Sequence, residues 1–194
     1  VEAVRRAGVG LQGTVEVSGT VDEESGGLAG MAWLAEQGKL NASLTDFVII
    51  PEPFGVDRIC LGHRGVYWFD VVTYGRTAHG SMPFLGESAI VSMSRVLDAI
   101  RDELAPALAG RVTAMPVVPE GARRPTININ GVSGGQADTA QPTPCVADRC
   151  TATFDRRFLL EENIKDVRRE MISLLERVAA DGPGLKYELS DRLI

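Results

Sequence analysis

The first part of the chain alternates between strand-like and helix-like patterns. Residues 9–20 alternate apolar and polar side chains, which predicts a strand. Apolar residues then recur at helical spacing over residues 28–35, and the wholly apolar run 47–50 predicts a strand buried in a parallel sheet. Strand, helix and strand in this order predict one βαβ unit of an α/β domain.

The pattern changes after residue 62 and predicts a second fold. Four segments have the alternation of strands: residues 66–74, 126–132, 145–158 and 185–189. Two amphipathic stripes predict helices over residues 89–108 and 161–180. The order β-α-β-β-α-β is that of a ferredoxin-like domain, with two helices on one face of a four-stranded antiparallel sheet. We therefore predict a partial α/β domain over residues 1–62 and an α+β, ferredoxin-like domain over residues 63–194.

Composition and charge narrow the class of protein. The chain has 194 residues, a net charge of -6 and no basic run, which argues against a nucleic-acid partner. No apolar run approaches the roughly 20 residues that span a bilayer, so we expect no membrane partner. The odd number of cysteines, three, favours a reducing compartment, and we expect a cytoplasmic protein. Cys145 and Cys150 lie five residues apart near a strand, and we do not expect them to share a metal.

Carboxylates follow both predicted strands of the first domain. Asp22, Glu23 and Glu24 come shortly after the first strand, and Glu52 stands between two prolines after the second. Open α/β sheets place ligands at the carboxyl ends of their strands, and carboxylates this close together favour a bound cation. The alternative is a helix cap, in which Asp22 caps the next helix and the two glutamates favour its positive end.

Several motifs, taken in order, resemble one family of zinc-dependent hydrolases. They are Val21-Asp22-Glu23-Glu24-Ser25-Gly26-Gly27, Pro51-Glu52-Pro53, Gly62-His63-Arg64-Gly65-Val66-Tyr67-Trp68, Gly75-Arg76-Thr77-Ala78-His79-Gly80-Ser81-Met82-Pro83, Gly86-Glu87-Ser88-Ala89-Ile90, Gly134-Gly135 and Asp155-Arg156-Arg157. In these motifs the chain is similar to acetylornithine deacetylase, succinyl-diaminopimelate desuccinylase, aminoacylase and glutamate carboxypeptidase. The resemblance implies an α/β catalytic domain followed by a ferredoxin-like lid through which the protein forms a homodimer.

The resemblance also implies roles for individual residues. Glu23 would be the general base that takes a proton from water and returns it to the leaving amine. Glu24 and Glu52 would each bind one of two zinc ions, with cobalt as an alternative metal. His79 would donate a hydrogen bond to the oxyanion of the tetrahedral intermediate, and in dimeric members it reaches the active site of the neighbouring subunit.

Substrate contacts are implied on the lid. Arg157 would hold the carboxylate of the substrate, with Arg156 as the alternative because adjacent strand residues face opposite ways. The family has an asparagine a few residues after the glycine pair, where this chain has Thr139. Asn128 or Asn130 is the candidate substitute for that contact.

The resemblance implies further metal ligands that this sequence does not contain. These are an upstream histidine and bridging aspartate and a downstream histidine, whereas the two histidines here are His63 and His79. We therefore expect the central part of a longer protein, with an incomplete two-zinc site that binds zinc poorly and does not turn over alone. The parent reaction would be hydrolysis of an N-acyl-amino acid or a small peptide.

Two other hypotheses remain open at this stage. The first is an isolated dimerisation or interaction module without catalytic activity, because a ferredoxin-like lid can self-associate without metal. The second is an acidic protein that binds Ca²⁺ or Mg²⁺, which fits the carboxylates but leaves His79 and Arg157 without a role.

Overall fold

The computed structural model describes residues 2–53, 55–136, 143–182 and 184–193. The chain divides into two compact units, Val1–Ile59 and Cys60–Ile194. The division falls three residues before the change of pattern that the sequence shows after residue 62. Among the described residues, every helix is too short or too polar to cross a lipid bilayer.

The described part of the first unit contains short helical turns and no strand. Helix α1 spans Glu2–Arg6 and helix α2 spans Trp33–Glu36, and a π-helical turn at Leu28–Ala32 leads into α2. The strands predicted over residues 9–20 and 47–50 are wrong, because these residues form no ladder. Phe47 and Ile49 are 91% and 88% exposed. A parallel strand needs neighbouring strands for its backbone N–H and C=O groups, and the described residues of this unit provide none.

The second unit is a four-stranded antiparallel sheet with helices on one face. Its strands are β1 (Gly65–Tyr74), β2 (Thr126–Gly134), β3 (Arg149–Phe158) and β4 (Lys186–Leu193), in the spatial order β2-β3-β1-β4. Its helices are α3 (Ala89–Ala99), α4 (Ala105–Ala109) and α5 (Ile164–Ala180). The predicted β-α-β-β-α-β order and the ferredoxin-like fold are confirmed. We call this unit the lid domain.

The core of the lid domain lies between the sheet and its helices. Successive side chains of a strand point to opposite faces, so alternate residues of β1 and β3 enter the core. Phe69 stacks between Tyr67 and Phe154, with ring centroids 4.7 and 5.0 Å apart, and all three rings are at most 1% exposed. The opposite face of the sheet, which we call the open face, carries mainly polar and charged side chains.

The first long helix of the lid is interrupted at a predictable place. Ser88 caps α3 by accepting a hydrogen bond from the Val91 N–H, and a π-helical turn at Ile100–Leu104 joins α3 to α4. Pro106 has no N–H to donate to the carbonyl of residue 102, and its ring crowds that carbonyl. A regular α-helical ladder therefore cannot run through residues 89–108, although both parts bury the predicted apolar stripe.

Candidate active-site residues

Glu23 and Glu24 lie together on one exposed 3-10 turn, Glu23–Ser25. Asp22 has a left-handed backbone with φ of 68°, a conformation that aspartate tolerates better than most residues. Its carboxylate accepts a hydrogen bond of 3.0 Å from the N–H of Ala29, in the first turn of the following π helix. Asp22 thus holds the start of that helical turn, and the two glutamates are left with exposed carboxylates.

The first unit does not assemble a metal centre from its described residues. Glu52 is exposed between its two prolines. A zinc centre in a protein takes three or four side-chain ligands. Among the described residues, no three side chains of His, Cys, Asp or Glu converge in a way that could hold a metal ion. Glu24 and Glu52 offer suitable oxygen donors, but any zinc site that they belong to requires more ligands.

His79 lies in the loop between β1 and α3. Its backbone forms an isolated antiparallel bridge with Cys145, and the N–H of Gly80 donates to the carbonyl of Pro144 at 2.7 Å. The imidazole is exposed, its Nδ1 lies 2.7 Å from Ser81 Oγ, and the Ser81 N–H donates to Nδ1 at 3.2 Å. Because Nδ1 accepts that hydrogen bond, the neutral ring carries its proton on Nε2, which is then the available donor.

A cleft of about 400 Å³ lies beside this loop. Gly80, Pro83, Gln136 and Cys145 are among the residues that line it. The side chain of Gln136 donates to Thr143 Oγ1 at 2.8 Å and accepts from the Thr143 N–H at 2.6 Å. The predicted contact residue Thr139 lies outside the described residues.

The register of β3 separates the two candidate arginines. Arg156 lies on the helix-covered face and is 2% exposed, and its Nη2 donates to Glu162 at 2.7 Å. Arg157 lies on the open face, where its Nε and Nη2 donate to the carboxylate of Asp155 at 2.7 and 2.9 Å. Arg157 is therefore the arginine presented on the open face, and Arg156 belongs to a buried ion-pair network.

Asn128 also belongs to the open face. It is exposed on β2 opposite Asp155 in the register of the sheet. Its Nδ2 donates to Asn130 Oδ1 at 2.7 Å. The structure thus places Asn128 and Arg157 on the same face of neighbouring strands.

The buried network around Arg156 was not predicted from the sequence. Glu162 accepts hydrogen bonds of 2.7 Å from Arg111, Arg156 and the Leu159 N–H. Burial would raise the pKa of Glu162, but the Leu159 N–H and the two guanidinium groups outweigh it and lower that pKa. The network ties the end of β3 to the segment before α5 and keeps the buried charge of Arg156 compensated.

This lowered pKa predicts a loss of stability in acid. The carboxylate form of Glu162 is favoured in the folded lid, so its contribution is complete above its ordinary pKa of about 4.5 and declines as the pH falls below it. Urea denaturation of the wild type and of Glu162→Gln at pH 7, 5 and 3.5 tests this. The difference in unfolding free energy between the two proteins is expected to shrink only at the lowest pH. The same difference in unfolding free energy at all three pH values would contradict the predicted loss of stability in acid.

The match to a family model decides the identity of the lid. Residues 61–183, well over half of the chain, match the peptidase dimerisation domain of the M20 type. The chain belongs to the M20 peptidase family. The family that the motifs imply is thus confirmed at this level, whereas the finer assignment to deacetylases or desuccinylases is not.

Curated M20 relatives extend the match into the first unit. A probable carboxypeptidase of Aspergillus niger is 31% identical over 166 residues, which are 84% of this chain and 36% of the relative. A probable carboxypeptidase of Aspergillus flavus is 32% identical over 177 residues, 89% of this chain and 38% of the relative. The chain spans less than two-fifths of the length of these relatives.

Solved structures agree with the M20 fold. Human carnosine dipeptidase 1 superposes with a TM-score of 0.63 at 17% identity, covering 88% of this chain and 45% of that one. A tripeptidase from Staphylococcus aureus gives a TM-score of 0.50 at 24% identity, covering 89% and 39%. At these identities the likeness supports the fold alone.

Proposed function

We propose that the protein is a metal-dependent amidohydrolase of the peptidase type, which hydrolyses a small peptide or an N-acyl-amino acid. The match of residues 61–183 to the M20 peptidase dimerisation domain carries this proposal. The names of the Aspergillus relatives, probable carboxypeptidases, favour a peptide with a free C-terminal carboxylate over acetylornithine or succinyl-diaminopimelate. A cytoplasmic location is part of the proposal, and the three free cysteines favour it.

In this proposal the glutamates of the first unit have two different roles, general base and metal ligand. Glu23 takes a proton from the attacking water and later gives it to the leaving amine. Glu24 and Glu52 each hold one of two zinc ions, and cobalt is an alternative metal. When bound, zinc would lower the pKa of the water. Because the described residues bring no three ligands together, further ligands are required, and residues 1–194 alone are proposed to bind zinc weakly and to lack turnover.

The lid supplies the contacts to the substrate in this proposal. Arg157 holds the carboxylate, since a guanidinium fork matches a planar anion, and Asp155 fixes its orientation. Asn128 and Thr139 are proposed to add polar contacts. His79 donates from Nε2 to the oxyanion that forms during the reaction, and the hydrogen bond between Ser81 and Nδ1 supports this assignment.

His79→Ala is expected to lower kcat by about 10²–10³-fold in an active form of the enzyme, the usual effect of removing one oxyanion donor. The matched control is His63→Ala, since His63 is an exposed histidine whose Nε2 lies 3.5 Å from the Cys60 sulfur. Steady-state kinetics on a dipeptide measure both variants. A loss in His63→Ala equal to that in His79→Ala would contradict the role given to His79.

A substrate panel, assayed with an active form of the enzyme, tests the proposed reaction. An unblocked dipeptide and an N-acetyl-amino acid are compared with their C-terminal amides, which lack the carboxylate. Cleavage of at least one acid, with its amide cleaved far more slowly, is the expected result. Failure to cleave any member, or equal rates on acids and amides, would overturn the proposal.

Self-association of the lid is a second candidate function, and it is compatible with the first. The matched domain is described as a dimerisation domain. Strand β2 forms one edge of the sheet, so one side of its backbone lacks a partner strand within the described lid. Ile129 and Val132 of β2 are 42% and 50% exposed. We propose a homodimer formed through this edge.

Light scattering after size exclusion tests the proposed homodimer. The chain is expected to elute at twice its mass of 20.8 kDa, without added metal. Val132→Lys places a charge at the β2 edge and is expected to give a monomer, because edge lysines block strand pairing. Ser190→Lys, on the opposite edge strand, is the control. A wild-type monomer at high protein concentration would contradict the proposal.

A further inference from the structure

The side chain of Arg64 spans the end of the sheet on the open face. Arg64 directly precedes β1, and its Nη1 donates to the carbonyl of Arg124 at 3.0 Å and to Thr126 Oγ1 at 3.2 Å. Thr126 is the first residue of β2, and β3 lies between β1 and β2. The Arg64 side chain therefore crosses the end of β3.

Arg157 occupies the position that Arg64 crosses. In the register of the sheet, Arg157 pairs with Val66 of β1 on one side and with Thr126 of β2 on the other. Arg64 stands two residues before Val66, so its side chain projects from the same face as that of Arg157. Two guanidinium groups thus lie side by side at one corner of the open face.

The charges at this corner do not balance. Arg157 is paired with Asp155, whereas Arg64 is held by a carbonyl and a hydroxyl, both neutral. The pKa of Arg64 is lowered, first by burial and then by the positive charge of Arg157, with Asp155 opposing. Two guanidinium groups and one carboxylate leave one positive charge that no described residue at this corner compensates.

Donors remain available on both guanidinium groups. The contacts to Asp155 use Nε and Nη2 of Arg157, and the contacts of Arg64 use Nη1. No residue that the structure describes accepts a hydrogen bond from Nη1 of Arg157, or from Nε or Nη2 of Arg64. Both side chains are only partly buried, so an incoming anion can reach them.

We propose that Arg64 and Arg157 together bind a single carboxylate, and that Arg64 is a further substrate-binding residue of the enzyme. The substrate part of this inference rests on the proposed function. One carboxylate neutralises the uncompensated charge, and two guanidinium groups offer it more than one charge-assisted hydrogen bond. The substrate class is then a peptide or acyl-amino acid whose recognised end carries one negative charge.

Binding of small probes to the 194-residue chain tests the inference without turnover. The probes for a nuclear magnetic resonance titration are N-acetylalanine, N-acetylalanine amide and inorganic phosphate. The wild type is expected to bind N-acetylalanine, with shifts at residues of this corner, and not to bind the amide. Arg64→Gln and Arg157→Gln are each expected to weaken binding of the acid by about 10–100-fold, the usual worth of a hydrogen bond to a charged group.

The controls separate this role from a structural one. Arg149→Gln removes an exposed arginine from the same face at the other end of β3 and is expected to leave the affinity unchanged. Arg64→Lys keeps the charge but not the fork, so partial recovery of affinity is expected. In an active form of the enzyme, Arg64→Gln is expected to raise KM while kcat changes little.

Several outcomes would overturn the inference. These are wild-type affinity in a folded Arg64→Gln protein, equal binding of acid and amide, no binding of any probe, or Arg64-dependent binding of phosphate alone. Failure of the proposed function looks different. In that case N-acetylalanine binds through both arginines, but an active form of the enzyme hydrolyses no peptide or acyl-amino acid.

Discussion

Glu23→Gln is expected to lower kcat by about 10²–10⁴-fold in an active form of the enzyme while leaving its zinc content unchanged. The amide keeps the size of the side chain but cannot take a proton from water. Glu24→Gln, at the adjacent position, is expected to lose zinc as well as activity, because it removes a proposed ligand. Metal analysis and steady-state kinetics on the same preparations measure both effects.

The control for this pair is Glu16→Gln, which changes an exposed carboxylate in the preceding segment and is expected to behave as the wild type. Wild-type turnover in Glu23→Gln would contradict its role as general base. Equal loss of zinc in Glu23→Gln and Glu24→Gln would contradict the division of roles between the two glutamates.

Glu162→Ala is expected to destabilise the lid by about 3 kcal/mol, at the lower end of the cost of breaking a buried ion pair. The change leaves the buried guanidinium of Arg156 without its 2.7 Å partner and the Leu159 N–H without its acceptor. Glu170, 3.7 Å from Arg156, retains part of the compensation, which keeps the loss from being larger.

Urea denaturation followed by circular dichroism measures this loss as a lower midpoint at an unchanged slope. Glu162→Gln retains an acceptor and is expected to lose less stability than Glu162→Ala. Glu176→Ala on the exposed side of α5 is the control and is expected to keep the wild-type midpoint. A loss in Glu162→Ala no larger than in the control would show that the network does not stabilise the lid.

The sequence predicts the lid well because its elements bury their apolar faces against one another. Each strand and helix of that unit carries a complete periodic pattern, so its type can be read from local spacing. The predicted start of β3 is less accurate. Residue 145 is predicted to lie in the strand. The backbone of Cys145 instead forms an isolated β-bridge with His79, and β3 begins at Arg149.

The first unit shows the limit of local patterns. An apolar run such as 47–50 indicates that a segment favours burial, but it does not identify the strand that would pair with it. Ladder hydrogen bonds come from neighbouring strands of a sheet, and the described residues of this unit contain no strand. The helical turns, in contrast, form their hydrogen bonds locally and appear near the predicted positions.

The faces of Arg156 and Arg157 can be predicted by extending the alternation of side chains along β3. Cys150, Ala152 and Phe154 share the core face of β3, and the same parity places Arg156 in the core and Arg157 on the open face. The charge of Arg156 at a core position hides this alternation in the sequence. Its partner Glu162 lies in a loop, which has no periodic pattern from which the contact could be predicted. The Ser81 contact to His79 likewise depends on loop geometry that no spacing rule predicts.

Metal dependence of peptide hydrolysis tests the proposed function most directly. An active form of the enzyme is treated with a chelator, assayed on an unblocked dipeptide, and assayed again after zinc is restored. We expect the activity to disappear with the metal and to return when two zinc ions per chain are bound. Full activity in metal-free protein, or no hydrolysis in zinc-loaded protein, would contradict a zinc-dependent M20 peptidase.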